Sequence, residues 1–382
     1  MKRIVICCDG TWNRLAAVNP TNVVRLAEAV ASASDDGTKQ IVWYDEGVGS
    51  GNTAVAKWLD KWLGGMFGAG LMTKVEQAYR FLIFNYDPGD SIYILGFSRG
   101  AFTARSLGGL IRNCGIIEQP HARRVREAID LYRARGAESH PDAEKSRRFR
   151  LKLCPSLHLN DDELKWRIEH NPRYDPTTST LLQIRYLGVW DTVGALGVPN
   201  YFWVARFFNG RYQFHDADLS RSVAAARHAV AFDEYRRAFE PSLWNNLDTL
   251  NENAAAGGRA VPYEQVWFPG DHSSVGGGGE VEGLSSAAFL WLAEGASKAG
   301  LALRTDVIDD ARRRADHRAS LISSIGTGFS LSRLMARRAR DGPAIAPDVS
   351  ESARLRWHEP AEALPEKMLY RPSSLNAVRK YL

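Results

Sequence analysis

The sequence predicts an α/β fold, a mainly parallel sheet with helices on both faces, and three observations carry that prediction. Short apolar runs at 2–8, 40–44 and 91–97 alternate with longer segments whose apolar residues recur at helical spacing. The run at 4–8 is continuously apolar, as suits a parallel strand covered on both faces. A Gly-x-Ser-x-Gly pentapeptide, Gly96-Phe97-Ser98-Arg99-Gly100, stands between the apolar run at 91–95 and the helical segment that follows.

Taken in order, residues 2–8 read as a first strand, broken by Asp9-Gly10-Thr11-Trp12-Asn13. Val23, Val24, Leu26, Ala27 and Val30 place a helix within 20–34, with Asn19 before Pro20 as its start signal. A second strand spans 40–44. The glycine-rich stretch 47–70 reads as loop with an amphipathic patch at Trp58, Leu59 and Trp62, and a helix follows over 71–86, closed by Asp87-Pro88-Gly89. After the strand at 91–97, small residues Ala101, Ala104 and Gly108 recur on one side of a helix over 101–112, which can therefore lie close to the sheet.

Residues 121–175 are dense in charge and end at Pro172 and Pro176; they read as a helical insertion laid over the carboxyl edge of the sheet as a cap, or more plainly as solvated helices. Further strands are expected at 181–190, 228–232 and 265–268, and a helix at 284–298. The expected organisation is a core over 1–300 carrying the 121–175 insertion, and a helical C-terminal extension over 301–382 packed on that core.

Composition narrows the function classes. A hydrophobic fraction of 45% with 24% charged residues suits a globular chain and argues against wholesale disorder. The net charge of +5 is too small to argue for nucleic acid, and none is expected as a partner. Cys7, Cys8, Cys114 and Cys154 have no Cys-x-x-Cys spacing, so a reduced, cytoplasmic protein with no metal and no cofactor is expected. The apolar run before Asp9 is too short for a signal peptide, and no stretch has the length of a membrane span; export by a route that needs no N-terminal signal stays open.

A serine hydroxyl is a weak nucleophile at neutral pH and needs a base within reach and an acid to hold that base. Ser98, Asp191 and His272 occur in the order Ser, Asp, His, each just after an expected strand. Asp233, also at a strand end, is the alternative acid, although Glu234, Arg236 and Arg237 beside it offer an ion-pair role instead. The oxyanion donors expected are the N–H of Arg99, directly after the nucleophile, and groups of Gly10 and Thr11 in the loop after the first strand. Asp9-Gly10-Thr11 is also similar to the opening of haloacid dehalogenase-type phosphatases, but those need an aspartate where Cys7 stands. The glycines at 276–279 lack the Gly-Lys-Ser/Thr ending of a phosphate loop.

Four motifs together, Cys8-Asp9-Gly10-Thr11-Trp12-Asn13, Gly96 to Arg105, Gly188-Val189-Trp190-Asp191-Thr192-Val193-Gly194 and Val266 to Gly278, resemble an α/β-hydrolase family that includes the phospholipase effectors of type VI secretion systems. A weaker echo lies at Tyr370-Arg371-Pro372-Ser373-Ser374-Leu375. The resemblance implies an α/β-hydrolase-like fold and a triad of Ser98, His272 and Asp191, settling the acid in favour of Asp191. It also implies hydrolysis of carboxylic esters, phospholipids foremost. Where the family usually has His-Ser-Asp, this chain has Ser274. The runner-up readings are a thioesterase or amidase acting on a cytosolic acyl metabolite, and a catalytically silent interaction protein on the same scaffold. Arginines at 123–135 and 312–318 suggest transient contact with an anionic membrane surface, against the plainer reading of solvated helices.

Overall fold

The computed structural model describes residues 1–10, 15–47, 64–134, 136–194, 218–258, 260, 262–322 and 338–382. The alternation of apolar runs and helices becomes a six-stranded sheet built from β1 (Arg3–Cys8), β2 (Gln40–Asp45), β3 (Ser91–Phe97), β6 (Ile184–Trp190), β7 (Ala226–Ala231) and β8 (Tyr263–Phe268). A separate two-stranded sheet pairs β4 (Leu157–His158) with β5 (Thr180–Leu181). The main sheet runs in the order β2-β1-β3-β6-β7-β8, and every pairing in it is parallel. The chain leaves β1 in one direction to form β2 and returns to form β3 on the other side, so the order reverses between β1 and β3. In such sheets the crevice at the carboxyl ends of those two strands is where sites are built.

Alternate residues of each strand face opposite helical layers. Ile4, Ile6, Cys8, Ile92 and Ile94 pack with Val75, Ala78, Tyr79 and Leu82 of α2 (Gly64–Asn85) and with Ala104, Leu107 and Ile111 of α3 (Arg99–Cys114). Val5, Cys7, Tyr93, Leu95 and Phe97 pack on the other side with α1 (Asn22–Ala29) and α9 (Gly283–Lys298). With apolar surface buried on both faces, β1 from Ile4 to Cys8 and β3 from Ile92 to Leu95 read as continuous apolar runs.

Several boundaries differ from the expected ones. The first helix is capped by Thr21, whose hydroxyl accepts the N–H of Val24, rather than by Asn19, and it stops at Ala29. Helix α2 begins at Gly64, inside the stretch expected to be loop, while Trp58, Leu59 and Trp62 lie outside the described residues.

The insertion forms α4 (Val125–Arg133), α5 (Glu144–Leu153) and α6 (Asp161–His170), but it does not cap the carboxyl edge of the sheet. It docks on the far end of α3: Arg150 Nη1 donates to Asn113 O at 2.7 Å and Asn113 Nδ2 to Ser139 O at 2.7 Å. A 16-residue helix is about 24 Å long, so a group bound at Asn113 stands at the opposite end from Ser98. The anchor is buried: Glu163 lies between Arg150 and Arg167 at 3.0 and 2.7 Å.

Beyond β7 come α7 (Leu247–Ala256), α8 (His272–Gly276) and, after α9, α10 (Thr305–Arg314) and α11 (Glu351–His358). Val349, Ala353, Trp357, Leu364, Tyr370, Leu375 and Val378 pack against Val230, Phe232 and Trp267, covering the β7–β8 end of the sheet. Within the C-terminal extension expected over 301–382, residues 323–337 lie outside the described residues.

Candidate active site

The turn from β3 into α3 forces Ser98 to φ 59° and ψ −123°, a backbone conformation that costs a non-glycine residue about 1–3 kcal/mol. The turn is tight because α3 starts directly against the end of β1. A Cβ on Gly100 would stand 2.2 Å from Cys8 O and 2.4 Å from Asp9 O, so only glycine allows the approach. The ladder brings the next motif alongside: Phe97 pairs with Trp190, and Ser98 N donates to Trp190 O at 3.0 Å. Asp191 therefore stands beside Ser98, itself at φ 37°.

His272 follows β8, two strands further along the sheet, as the first residue of α8. Asp271 caps that helix, its Oδ1 accepting Ser274 N at 2.8 Å. The imidazole sits between the rings of Phe97 and Phe239, with centroids 4.6 and 4.9 Å away, and Gly276 leaves room for Phe97. Ser98 Oγ donates to His272 Nε2 at 2.8 Å, and His272 Nδ1 donates to Asp191 Oδ2 at 2.6 Å. Ser98 and His272 are 6% and 5% exposed and Asp191 is fully buried, so their contacts are made out of bulk water. Burial alone would raise the Asp191 carboxyl; the Arg340 guanidinium and the His272 ring outweigh it and hold it well below the usual carboxylate range.

Of the expected oxyanion donors, Arg99 is the first residue of α3. The N–H of Gly10 is turned elsewhere, donating to Asp9 Oδ1 at 2.6 Å, because the buried Asp9 carboxylate collects donors: Thr21 Oγ1 at 2.7 Å and Tyr44 Oη at 2.8 Å reach its Oδ2. Thr11 lies outside the described residues.

Asp233 is not a partner of His272. Its Oδ2 takes Gly270 N at 2.8 Å and Tyr370 Oη at 2.9 Å, while the ion pair expected beside it is made by Glu234 and Arg236. No group of three or more His, Cys, Asp or Glu side chains able to hold a metal ion occurs among the described residues.

Residues 2–295 match the family described as "T6SS, Phospholipase effector Tle1-like, catalytic domain". The chain belongs to this Tle1-like family. A relative is the uncharacterized protein YEL023C of Saccharomyces cerevisiae, 28% identical over 248 residues, which are 63% of this chain and 32% of that protein. Among solved structures, an uncharacterized protein from Pseudomonas aeruginosa is similar with TM-score 0.41 and 17% identity, covering 82% of this chain and 48% of that one. The Tle1 effector bound to the VgrG spike of the type 6 secretion system is similar with TM-score 0.36 and 20% identity, covering 74% and 53%. The chain thus spans about a third to a half of the length of these relatives.

At the position where this Tle1-like chain departs from the usual motif, the Ser274 hydroxyl lies 2.9 Å from both Asp271 Oδ1 and Leu321 O, tying the His272 loop to the C-terminal part. Sequence reasoning missed three groups. Arg340 binds Asp191 through both Nη atoms. Tyr370 lay in the noted echo motif, but nothing there named Asp233 as its partner. His228 accepts Thr192 N at Nε2, 3.2 Å, so its proton is on Nδ1 facing Gln265 Oε1 at 3.0 Å; burial, then Arg105, pushes its pKa down to about 3, and it holds the turn after Asp191 as a neutral ring.

Within the basic segments, Arg124 pairs with Glu127, Arg312 with Asp309, Arg313 with Asp310, Arg314 with Glu282 and Arg318 with Glu359. No helix among the described residues is long and apolar enough to cross a membrane.

Proposed function

We propose that this chain is a serine hydrolase that cleaves carboxylic esters, phospholipid esters foremost, with Ser98 as nucleophile, His272 as base and then acid, and Asp191 as the group that holds the ring. The observation that carries this reading is the unbroken relay from Ser98 Oγ through His272 to Asp191, 2.8 and 2.6 Å, at the carboxyl ends of β3, β6 and β8. An ionised carboxylate only accepts, so Nδ1 carries the proton and Nε2 offers its lone pair to the serine. As Ser98 Oγ bonds to the ester carbonyl carbon, its proton passes to Nε2. That proton then goes to the departing alcohol oxygen as its bond to carbon breaks. Water repeats the sequence on the acyl-enzyme, releasing the acid and restoring Ser98.

The charge on the carbonyl oxygen falls to the N–H of Arg99, where the start of α3 adds its partial positive charge. Membership of a phospholipase effector family supports a lipid substrate over a small ester. Labelling with a fluorophosphonate tests the nucleophile: wild type is expected to be modified at Ser98, and Ser98→Ala not at all. Phospholipid vesicles and p-nitrophenyl esters assayed in parallel test the substrate. A folded wild-type chain that neither labels nor turns over either substrate would sink the proposal.

A further inference from the structure

A carboxylate offers about four acceptor positions. On Asp191, His272 Nδ1 takes one and Ala231 N, at 2.9 Å from Oδ1, takes another. The other two go to a single side chain: Arg340 Nη1 reaches Oδ1 at 2.6 Å and Nη2 reaches Oδ2 at 3.0 Å, a two-pronged contact in which both partners are buried. The remaining hydrogens of the two Nη atoms go to Ala231 O at 2.8 Å and Phe239 O at 2.6 Å. The segment that delivers the guanidinium is itself held. Arg338 N donates to Tyr235 O at 2.8 Å, and at Gly342, φ +80°, a Cβ would stand 1.8 Å from Ser374 O.

A carboxylate with an imidazole as its sole charged partner directs its whole field at that ring. Here a permanent cation shares it, and the same cation repels an imidazolium. The other charged groups around His272 are Glu234, whose Oε2 lies 3.4 Å from His272 N, Arg236 paired to Glu234, and Asp271 at the cap. Glu234 pairs with Arg236 and Asp271 is engaged by Ser274 N and Oγ, whereas Asp191 is bonded to the ring itself and Arg340 to Asp191, in line with the relay.

We propose that Arg340 is a positioning residue of the hydrolytic site: it fixes the plane of the Asp191 carboxylate and takes a share of that carboxylate's charge away from His272. This rests on the reading of Ser98, His272 and Asp191 as a triad. It also makes the segment around position 340, beyond the family match at 2–295, a working part of the site.

The test compares wild type, Arg340→Lys and Arg340→Met by kcat/KM against pH on a soluble p-nitrophenyl ester. It is joined by a titration of the far-downfield proton resonance of His272 Nδ1–H, which needs no turnover. In Arg340→Met, the acid limb and the resonance midpoint are expected to move up by about one pH unit. The plateau rate is expected to fall about tenfold or more. Arg340→Lys keeps the charge but not the fork, so its midpoint should stay near wild type while its rate falls. An Arg340→Met protein that melts cooperatively with an unmoved midpoint overturns the proposal. If that variant does not fold, Arg340→Lys at full wild-type rate overturns it instead. A wild type that resists labelling at Ser98 but shows the Arg340-dependent midpoint would sink the triad and leave the coupling standing.

Discussion

Tyr370 donates its hydroxyl to Asp233 Oδ2 at 2.9 Å, and the same oxygen takes the N–H of Gly270 at 2.8 Å, two residues before His272. Burial pushes the Asp233 pKa up to about 6, even though both donors favour its charged form. A carboxyl raised in the folded state binds more protons there than in the unfolded chain. Its contribution to stability is therefore lost as pH rises from about 4 to about 6, on the order of 3 kcal/mol. Asp233→Asn should flatten that window, and Tyr370→Phe should widen it upward by removing a donor to the anion. Melting temperatures from pH 4 to 8 check both; identical profiles for all three proteins would contradict the linkage.

Backbone strain at Ser98 gives a second expectation. Replacing it with glycine releases the cost of φ 59°, so Ser98→Gly should be more stable than Ser98→Ala by about 1 kcal/mol, with neither variant hydrolysing ester. Denaturant midpoints at equal m-value measure the difference. A glycine variant less stable than the alanine one would mean that the elbow is not strained.

Asp191→Asn leaves a buried guanidinium facing a neutral amide. The loss of stability should be about 3–5 kcal/mol, because a buried charge is left unpaired. Adding Arg340→Met removes that charge and should recover much of the stability but none of the turnover. The double-mutant cycle, read by both denaturation and rate, separates the structural from the chemical part of the contact.

In the insertion, Glu163→Gln strands Arg150 and Arg167, both less than 3% exposed, and should cost a similar several kcal/mol. Burial works to raise the Glu163 carboxyl, but Arg150 and then Arg167 hold it below its ordinary value. A carboxyl lowered in the folded state contributes stability that is present above its unfolded pKa and lost as pH falls through the folded one. The insertion should therefore loosen in acid below about pH 4.5. Hydrogen exchange along α4–α6 at pH 3 and 7 reports it, and Ser98 labelling at pH 7 should survive the substitution because the insertion docks at the far end of α3.

The strand ends and the order of Ser98, Asp191 and His272 were legible in the sequence because both are local. A central parallel strand such as Ile4–Cys8 of β1, buried on two faces, shows as a continuous apolar run, and the turn that leaves it is marked by Asp9-Gly10. The insertion was legible as helices, but its place was not: charge density marks exposed surface without saying which end of the sheet carries it. Gly10 read as a donor because nothing local says that the N–H next to Asp9 will be claimed by that side chain. Arg340 is one of 49 Lys and Arg residues and lies 149 positions from Asp191. Such a pair has no spacing to betray it. Composition and pattern thus determined an α/β sheet with a serine, a carboxylate and an imidazole at its strand ends. Only packing decided that the imidazole reaches both neighbours and that Arg340 and Tyr370 are drawn to buried carboxylates. The physical reason is that a buried charge takes whichever partner the folded chain brings within hydrogen-bond reach, however far away that partner is in sequence.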